Sequence, residues 1–336
     1  MTATYQRIVL ASRPKGRVTP DNFRLERVPV PEPRPGQLRV RNHYLSLDPY
    51  MRGRMEDMKS YAAPQKLDET MIGTTVGIVE VSNHPGFAAG DAVVGLLGWQ
   101  EYGLSDGTQL MKIDTRAVPM SAYLGAVGMP GVTAWYGLNH ICEPKPGQTV
   151  LVSAASGAVG GVVGQLAKHT GCRTIGIAGG PEKCSYAVSE LGFDACIDHR
   201  EHGDLESMTR ALRAAAHEGV DALFENVGGV CLDAALACMN PFGRIALCGL
   251  IAGYGGEDIA IHNVRALLVM RLKVQGFIVS EHMDAWPQAL AELGRGVATG
   301  RIRYRESVAE GLAAAPEAFI GLLAGRNFGK QLVKLA

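Results

Sequence analysis

The sequence predicts an α/β fold in two parts, a β-rich domain and a doubly wound parallel sheet. Two observations carry that expectation. Up to about residue 120, short alternating stretches are broken by turn residues, while beyond Ala122 helical segments alternate with short apolar strands. Strands such as Thr149-Val-Leu-Val and Ile245-Ala-Leu-Cys are apolar on both faces, as a sheet covered on both sides requires.

In the first part, Arg24-Leu-Glu-Arg-Val-Pro-Val and Gln37-Leu-Arg-Val-Arg-Asn-His-Tyr alternate around a stiff Pro31-Glu-Pro-Arg-Pro-Gly connector. Thr74–Val81 and Asp91–Leu96 are two further strands. The second part predicts strands at 149–153, 173–178, 195–198, 222–225, 244–248 and 272–279. Helices are expected after 153 to about 170, over 182–191, about 205–217, 230–239 and 285–298. After Gly300 the pattern returns to strand, helix and strand, which predicts that the chain rejoins its first domain. The expected division is 1–122 with 302–336, and 123–301.

The bulk composition bounds the function. At 336 residues, with 47% apolar and 20% charged, the chain has the profile of a packed, soluble protein. Basic and acidic residues balance at 33 each, so no global field draws it to nucleic acid or an anionic membrane. The seven cysteines form no Cys-x-x-Cys pair and sit in apolar or helical stretches, which suggests reduced thiols. Met1-Thr-Ala-Thr-Tyr-Gln-Arg has no signal-peptide core, and no run of about 18 apolar residues exists. A cytoplasmic address is expected.

The strongest local signal is Val150-Leu-Val-Ser-Ala-Ala-Ser-Gly-Ala-Val-Gly-Gly, a strand running through a tight turn into a helix. Free N–H groups and the helix dipole converge at such a junction, which suits a pyrophosphate. Ala155, Gly157, Ala158, Val159 and Gly160 form the bend. Ala155 stands where the usual dinucleotide fingerprint has its first glycine. At the end of the next strand, Ala178-Gly179-Gly180-Pro181-Glu182-Lys183 lacks the acid that takes a ribose 2′-hydroxyl. Lys183 there, with His199-Arg200 past the third strand, predicts a 2′-phosphate and hence NADPH.

Taken together, Leu45-Ser-Leu-Asp-Pro-Tyr-Met-Arg-Gly, Gly128-Met-Pro-Gly-Val-Thr-Ala-Trp-Tyr-Gly-Leu, the Ala154–Gly161 bend, Glu225-Asn-Val-Gly-Gly, Phe242-Gly-Arg-Ile-Ala-Leu-Cys-Gly and Asn327-Phe-Gly-Lys are specific. With them the chain resembles the medium-chain dehydrogenase/reductases, in the prostaglandin, alkenal/one and curcumin reductase branch. The resemblance implies a GroES-like catalytic domain, a Rossmann domain carrying NADPH, and an active site in the cleft between them. It further implies that Gly179 and Lys183 serve the 2′-phosphate end, and that Asn226, Cys248 and Asn327 line the cofactor channel. Phe277 and Val279 flank the backbone that receives the nicotinamide carboxamide. His199 replaces a tyrosine common in relatives. Zinc-dependent cousins carry Gly-His-Glu where this chain has Gly73-Thr-Thr-Val-Gly, and no cysteine precedes Cys142, so no zinc site is expected.

The expected reaction is hydride transfer to the carbon–carbon double bond of an enone or enal. The cofactor performs the transfer; the protein orients and stabilises charge. Negative charge growing on the carbonyl oxygen calls for hydrogen-bond donors. Tyrosine, with a free pKa of ~10, stays protonated at neutral pH. Tyr50, fixed by Pro49, and Tyr254, beyond the fifth strand, are the catalytic candidates. Tyr61 is carried over by resemblance as a substrate contact. Trp99 either walls the substrate pocket or packs in a core. Two other readings stay open: a quinone reductase of the same superfamily, and a dinucleotide-binding protein without turnover. A homodimer paired through the edge formed by Leu267-Leu-Val-Met and the 272–279 strand is also expected.

Overall fold

The computed structural model describes residues 3–336; Met1 and Thr2, at the head of the segment read above for a signal peptide, lie outside it. The described chain divides into two compact units, residues up to Gly125 with Glu306–Ala336, and Ala126–Arg305.

The first unit begins with β1 (Thr4–Leu10), β2 (Phe23–Pro29) and β3 (Leu38–Ser46), then a short helix α1 (Tyr50–Arg54). There follow β4 (Thr75–Ser82), β5 (Ala92–Gly95), β6 (Tyr102–Ser105) and β7 (Leu110–Lys112). Strands β1 and β2 pair as an antiparallel ribbon. The main ladder turns on β3 and β4, which pair with Val40 opposite Val79 and Leu45 opposite Thr75. Their register shifts between Asn42 and Tyr44, where Gly77 lies opposite. A Cβ on Gly77 would lie 2.2 Å from the Arg41 carbonyl oxygen, so the irregularity needs glycine.

The second unit opens with α2 (Met129–Tyr136), whose last turn widens to a π-helical turn at Gly137–Cys142. There Gly137 is pressed against Phe224 and Phe277; a Cβ would come within 2.5 Å of Phe224. Then come β8 (Thr149–Ser153), α3 (Gly160–His169), β9 (Arg173–Ala178), α4 (Pro181–Ser189), β10 (Ala195–Asp198) and α5 (Leu205–Ala215). The series continues with β11 (Val220–Glu225), α6 (Gly229–Leu236), β12 (Met239–Leu247), α7 (Arg265–Val269), β13 (Lys273–Gly276) and α8 (Trp286–Ala298). All six strands are parallel, in the order β10-β9-β8-β11-β12-β13. This is the doubly wound arrangement whose switch point falls between β8 and β11. Val150 and Val152 of β8 face one buried layer and Leu151 the other, which explains the strand's unbroken apolar run.

The chain then returns to the first unit with β14 (Glu306–Glu310), α9 (Ala315–Leu323) and β15 (Lys330–Lys334). β15 lies between β14 and β3, giving a seven-stranded sheet in the order β14-β15-β3-β4-β5-β7, with β6 also on β3. The unit's core gathers around Trp99, fully buried, stacked on Phe23 at 5.4 Å and edge-on to Phe319 at 5.7 Å. Of the two places expected for Trp99, this is the core one: its ring is buried against Phe23 and Phe319.

Candidate functional site

The bend between β8 and α3 is built for close backbone approach. Ala154 adopts φ 51°, and Gly157 donates its N–H to the Ala154 carbonyl at 2.9 Å. A Cβ on Gly160 would lie 2.4 Å from that same oxygen, so the helix can start here only from glycine. The departure at Ala155 has a local compensation. Its methyl fills space left by Gly176 of β9, where a second Cβ would stand 2.7 Å away.

The ends of β9 and β10 form a second cluster. The Asp198 carboxylate accepts from the N–H groups of Gly180 at 2.8 Å and Arg200 at 3.0 Å, tying the two loops together. A Cβ on Gly179 would come within 2.7 Å of the His199 ring and 3.3 Å of Arg200 Nε. One on Gly180 would meet the Arg200 guanidinium at 3.2 Å. Burial pushes the Lys183 ammonium down, and the neighbouring Arg200 charge pushes the same way. His199 is also lowered by burial, against the pull of Asp198. His199 and Arg200 thus crowd one glycine pair, with Lys183 near enough to feel the charge of Arg200, an arrangement that suits a dianionic phosphate. Asp198 escaped the sequence reading; the only signal was an acid closing a short strand.

At the switch point, Asn226 bridges β11 to β8. Its N–H donates to Ser153 Oγ at 2.7 Å and its side-chain amide to the Ser153 carbonyl at 2.8 Å. Cys248, just past β12, donates its N–H to the Glu225 carbonyl at 2.9 Å, and burial pushes its thiol up to about 12. Tyr254 caps a short 3₁₀ turn at Ile251–Gly253 beyond β12. Phe277 packs edge-on to Phe224, and the Val279 carbonyl is already held by the Trp286 indole N–H at 3.1 Å. Bend, basic cluster and switch-point residues all lie at the carboxyl ends of the parallel strands, where such sheets hold ligands.

In the first unit, Tyr50 is the first residue of α1, just after β3. Burial raises its hydroxyl well above the usual phenol range, the Asp48 carboxylate adds to this, and Arg54 opposes it. Tyr61 shares this neighbourhood and is itself raised by burial, although its side chain is exposed. Arg52 serves structure, donating to the Gly16 carbonyl at 2.8 Å and pairing with Glu56 at 2.8 Å. Asn327 donates to the Gly329 carbonyl at 2.7 Å. Among the described residues no three His, Cys, Asp or Glu side chains converge as a metal-ligand set.

A discontinuous β-rich unit and a six-stranded sheet with this bend define a Rossmann-type two-unit protein. Two family profiles match, the N-terminal domain of oxidoreductase over residues 6–113 and zinc-binding dehydrogenase over 158–295. The chain is 45% identical to the NADPH-dependent curcumin reductase of Escherichia coli (strain K12), covering 98% of this chain and 97% of that one. It is 44% identical to the NADP(+)-dependent 2-alkenal reductase of Nicotiana tabacum, covering 88% and 87%. Among solved structures, CurA from Vibrio vulnificus in complex with NADPH superposes with a TM-score of 0.92 at 46% identity, covering 98% of this chain and 99% of that one. The chain belongs to the medium-chain dehydrogenase/reductases, in the zinc-independent branch that holds the curcumin, 2-alkenal and prostaglandin reductases.

Proposed function

We propose that this chain is an NADPH-dependent reductase of the carbon–carbon double bond of α,β-unsaturated ketones or aldehydes. The observation that carries the reading is the Lys183, His199 and Arg200 cluster around Gly179 and Gly180, on the sheet that also carries the Ala154–Gly160 bend. The residues fit the dinucleotide: the bend leaves room for a pyrophosphate, and the basic cluster for a 2′-phosphate. NADPH supplies a hydride when bound. Ala155, Gly157, Ala158, Val159 and Gly160 would hold its pyrophosphate, and Asn226, Cys248, Phe277 and Val279 would line its nicotinamide half.

Tyr50 donates a hydrogen bond to the substrate carbonyl oxygen as negative charge builds there. Its raised proton affinity keeps it a donor across the neutral range. Tyr254 is the alternative donor, and Tyr61, exposed, contacts the substrate. A spectrophotometric screen of NADPH oxidation tests the reading. Turnover of enones and enals is expected; turnover of simple quinones alone would replace it with the quinone reductase reading.

Two further parts of the reading concern setting. Leu268, Val269 and Val274 are exposed along α7 and the outer strand β13, as is Val264 just before α7, which suits pairing of two copies edge to edge. A monomer mass by light scattering at micromolar concentration overturns the dimer. Cys142, Cys172, Cys231 and Cys238 are buried free thiols, in keeping with a reducing cytoplasm. Among the described residues no helix is long and apolar enough to cross a membrane.

A further inference from the structure

Asp198 closes β10 opposite Ala178, the last residue of β9, so its carboxylate stands beside the Gly179–Gly180 turn that leads into α4. One oxygen, Oδ1, accepts from the Gly180 N–H at 2.8 Å and from the Arg200 N–H at 3.0 Å. The two donors belong to different loops, and a single atom holds both. Gly180 is buried and sits at φ 99°, a conformation that glycine adopts without a steric penalty. Burial works against ionisation of Asp198, but the two N–H bonds, with the His199 and Arg200 charges, hold its carboxyl below the usual range.

This latch sets the side chains on either side of it. Arg200 folds back over the turn: its Nη1 lies 3.2 Å from the place of a Gly180 Cβ, and its Nε 3.3 Å from that of a Gly179 Cβ. His199 Nε2 comes within 2.7 Å of the same Gly179 position. Lys183 projects from the first turn of α4, the helix that Gly180 caps, and feels the Arg200 charge. Fixing Gly180 against Arg200 therefore fixes the base from which all three basic side chains project. A free carboxylate here would repel a phosphate. The Asp198 charge is instead turned to backbone donors, and what it supplies is geometry.

We propose that Asp198 is a positioning residue for cofactor choice, joining the Gly179–Gly180 and His199–Arg200 turns so that their basic side chains meet a 2′-phosphate. The inference rests on the NADPH reading above and deepens it. Asp198 acts through the loops it joins, at the one group by which NADPH differs from NADH. A ribose 2′-hydroxyl needs no cluster of cations. Loosening the latch therefore weakens NADPH and spares NADH.

The test is calorimetric titration of the wild type, Asp198→Ala and Asp198→Asn with NADPH and with NADH. Asparagine keeps a carbonyl oxygen for both N–H groups; alanine keeps none. We expect D198A to weaken NADPH about 10- to 100-fold and NADH by less than about twofold. D198N is expected to restore NADPH binding to within about threefold of wild type. A purely structural role predicts that D198A loses both nucleotides by the same factor, and that result overturns the proposal. So does a D198A protein that binds NADPH like wild type, or a D198N protein no better than D198A. Should D198A fail to fold, hydrogen exchange of the wild type decides. The Gly180 and Arg200 amides must gain protection together with NADPH and not with NADH; equal protection by the two overturns the proposal. A wild type that binds NADPH no more tightly than NADH instead overturns the 2′-phosphate reading, and one that binds neither overturns the nucleotide reading.

Discussion

Lys330 Nζ lies 2.7 Å from Asp48 Oδ1 and 2.7 Å from the Leu47 carbonyl oxygen, and both charged side chains are almost wholly out of solvent. Asp48 is held in turn by the Ser46 hydroxyl. This pair fastens β15 to the segment immediately before Tyr50. Removing one partner strands a buried charge, which costs about 3–5 kcal/mol, whereas replacing both is close to neutral. Urea unfolding of K330M is expected to show a loss of that size, and D48N/K330M a much smaller one. A K330M variant as stable as wild type contradicts the pair's role.

Tyr50 should prove the more important hydroxyl for turnover. Y50F is expected to lower kcat about 10- to 1000-fold with NADPH affinity unchanged, the loss typical of a removed oxyanion donor. Because burial and then Asp48 raise its pKa above the ordinary value, no fall in kcat/KM from Tyr50 ionisation should occur below about pH 10. An alkaline limb near pH 9 that vanishes in Y50F would place its pKa below normal instead.

Cofactor choice should reside at Lys183 and Arg200. Each charged hydrogen bond to a 2′-phosphate is worth about 1.5–3 kcal/mol, so K183A and R200A are each expected to weaken NADPH roughly 10- to 100-fold. NADH affinity should not move. Calorimetry with both nucleotides separates this from general damage, which would weaken them alike.

At Gly160 the added methyl would press on a backbone oxygen that cannot swing aside. Gly160→Ala is expected to cost about 1–3 kcal/mol of stability and to weaken NADPH and NADH together. Thermal melts and nucleotide titrations of the same sample check both halves.

The parallel sheet was legible because its strands are apolar on both faces and its glycine bend stands at a strand–helix junction. The basic cluster was legible for the same reason, since the sheet order brings adjacent strand ends together. Other features depend on partners far away in the chain. Trp99 reads equally as pocket wall or core until Phe23 and Phe319 are seen to enclose it. Asp198 and Glu225 are ordinary acids in a sequence; their work is done through N–H groups of turns whose shape no periodicity reveals. At the π-helical turn Gly137–Cys142, Gly137 likewise packs against Phe224 and Phe277, both far away in the chain.

β15 is an inner strand, yet it is synthesised long after its neighbour. Between Lys112, the end of β7, and Lys330, the start of β15, the ribosome adds 218 residues (330 minus 112). At ~5–20 residues per second that takes on the order of ten to forty seconds. Throughout that interval the Tyr44–Ser46 half of β3, which β15 will cover, is an open edge on a nascent chain. Until the closing strand emerges, the unpaired N–H and C=O groups of that edge are open to pairing with another chain.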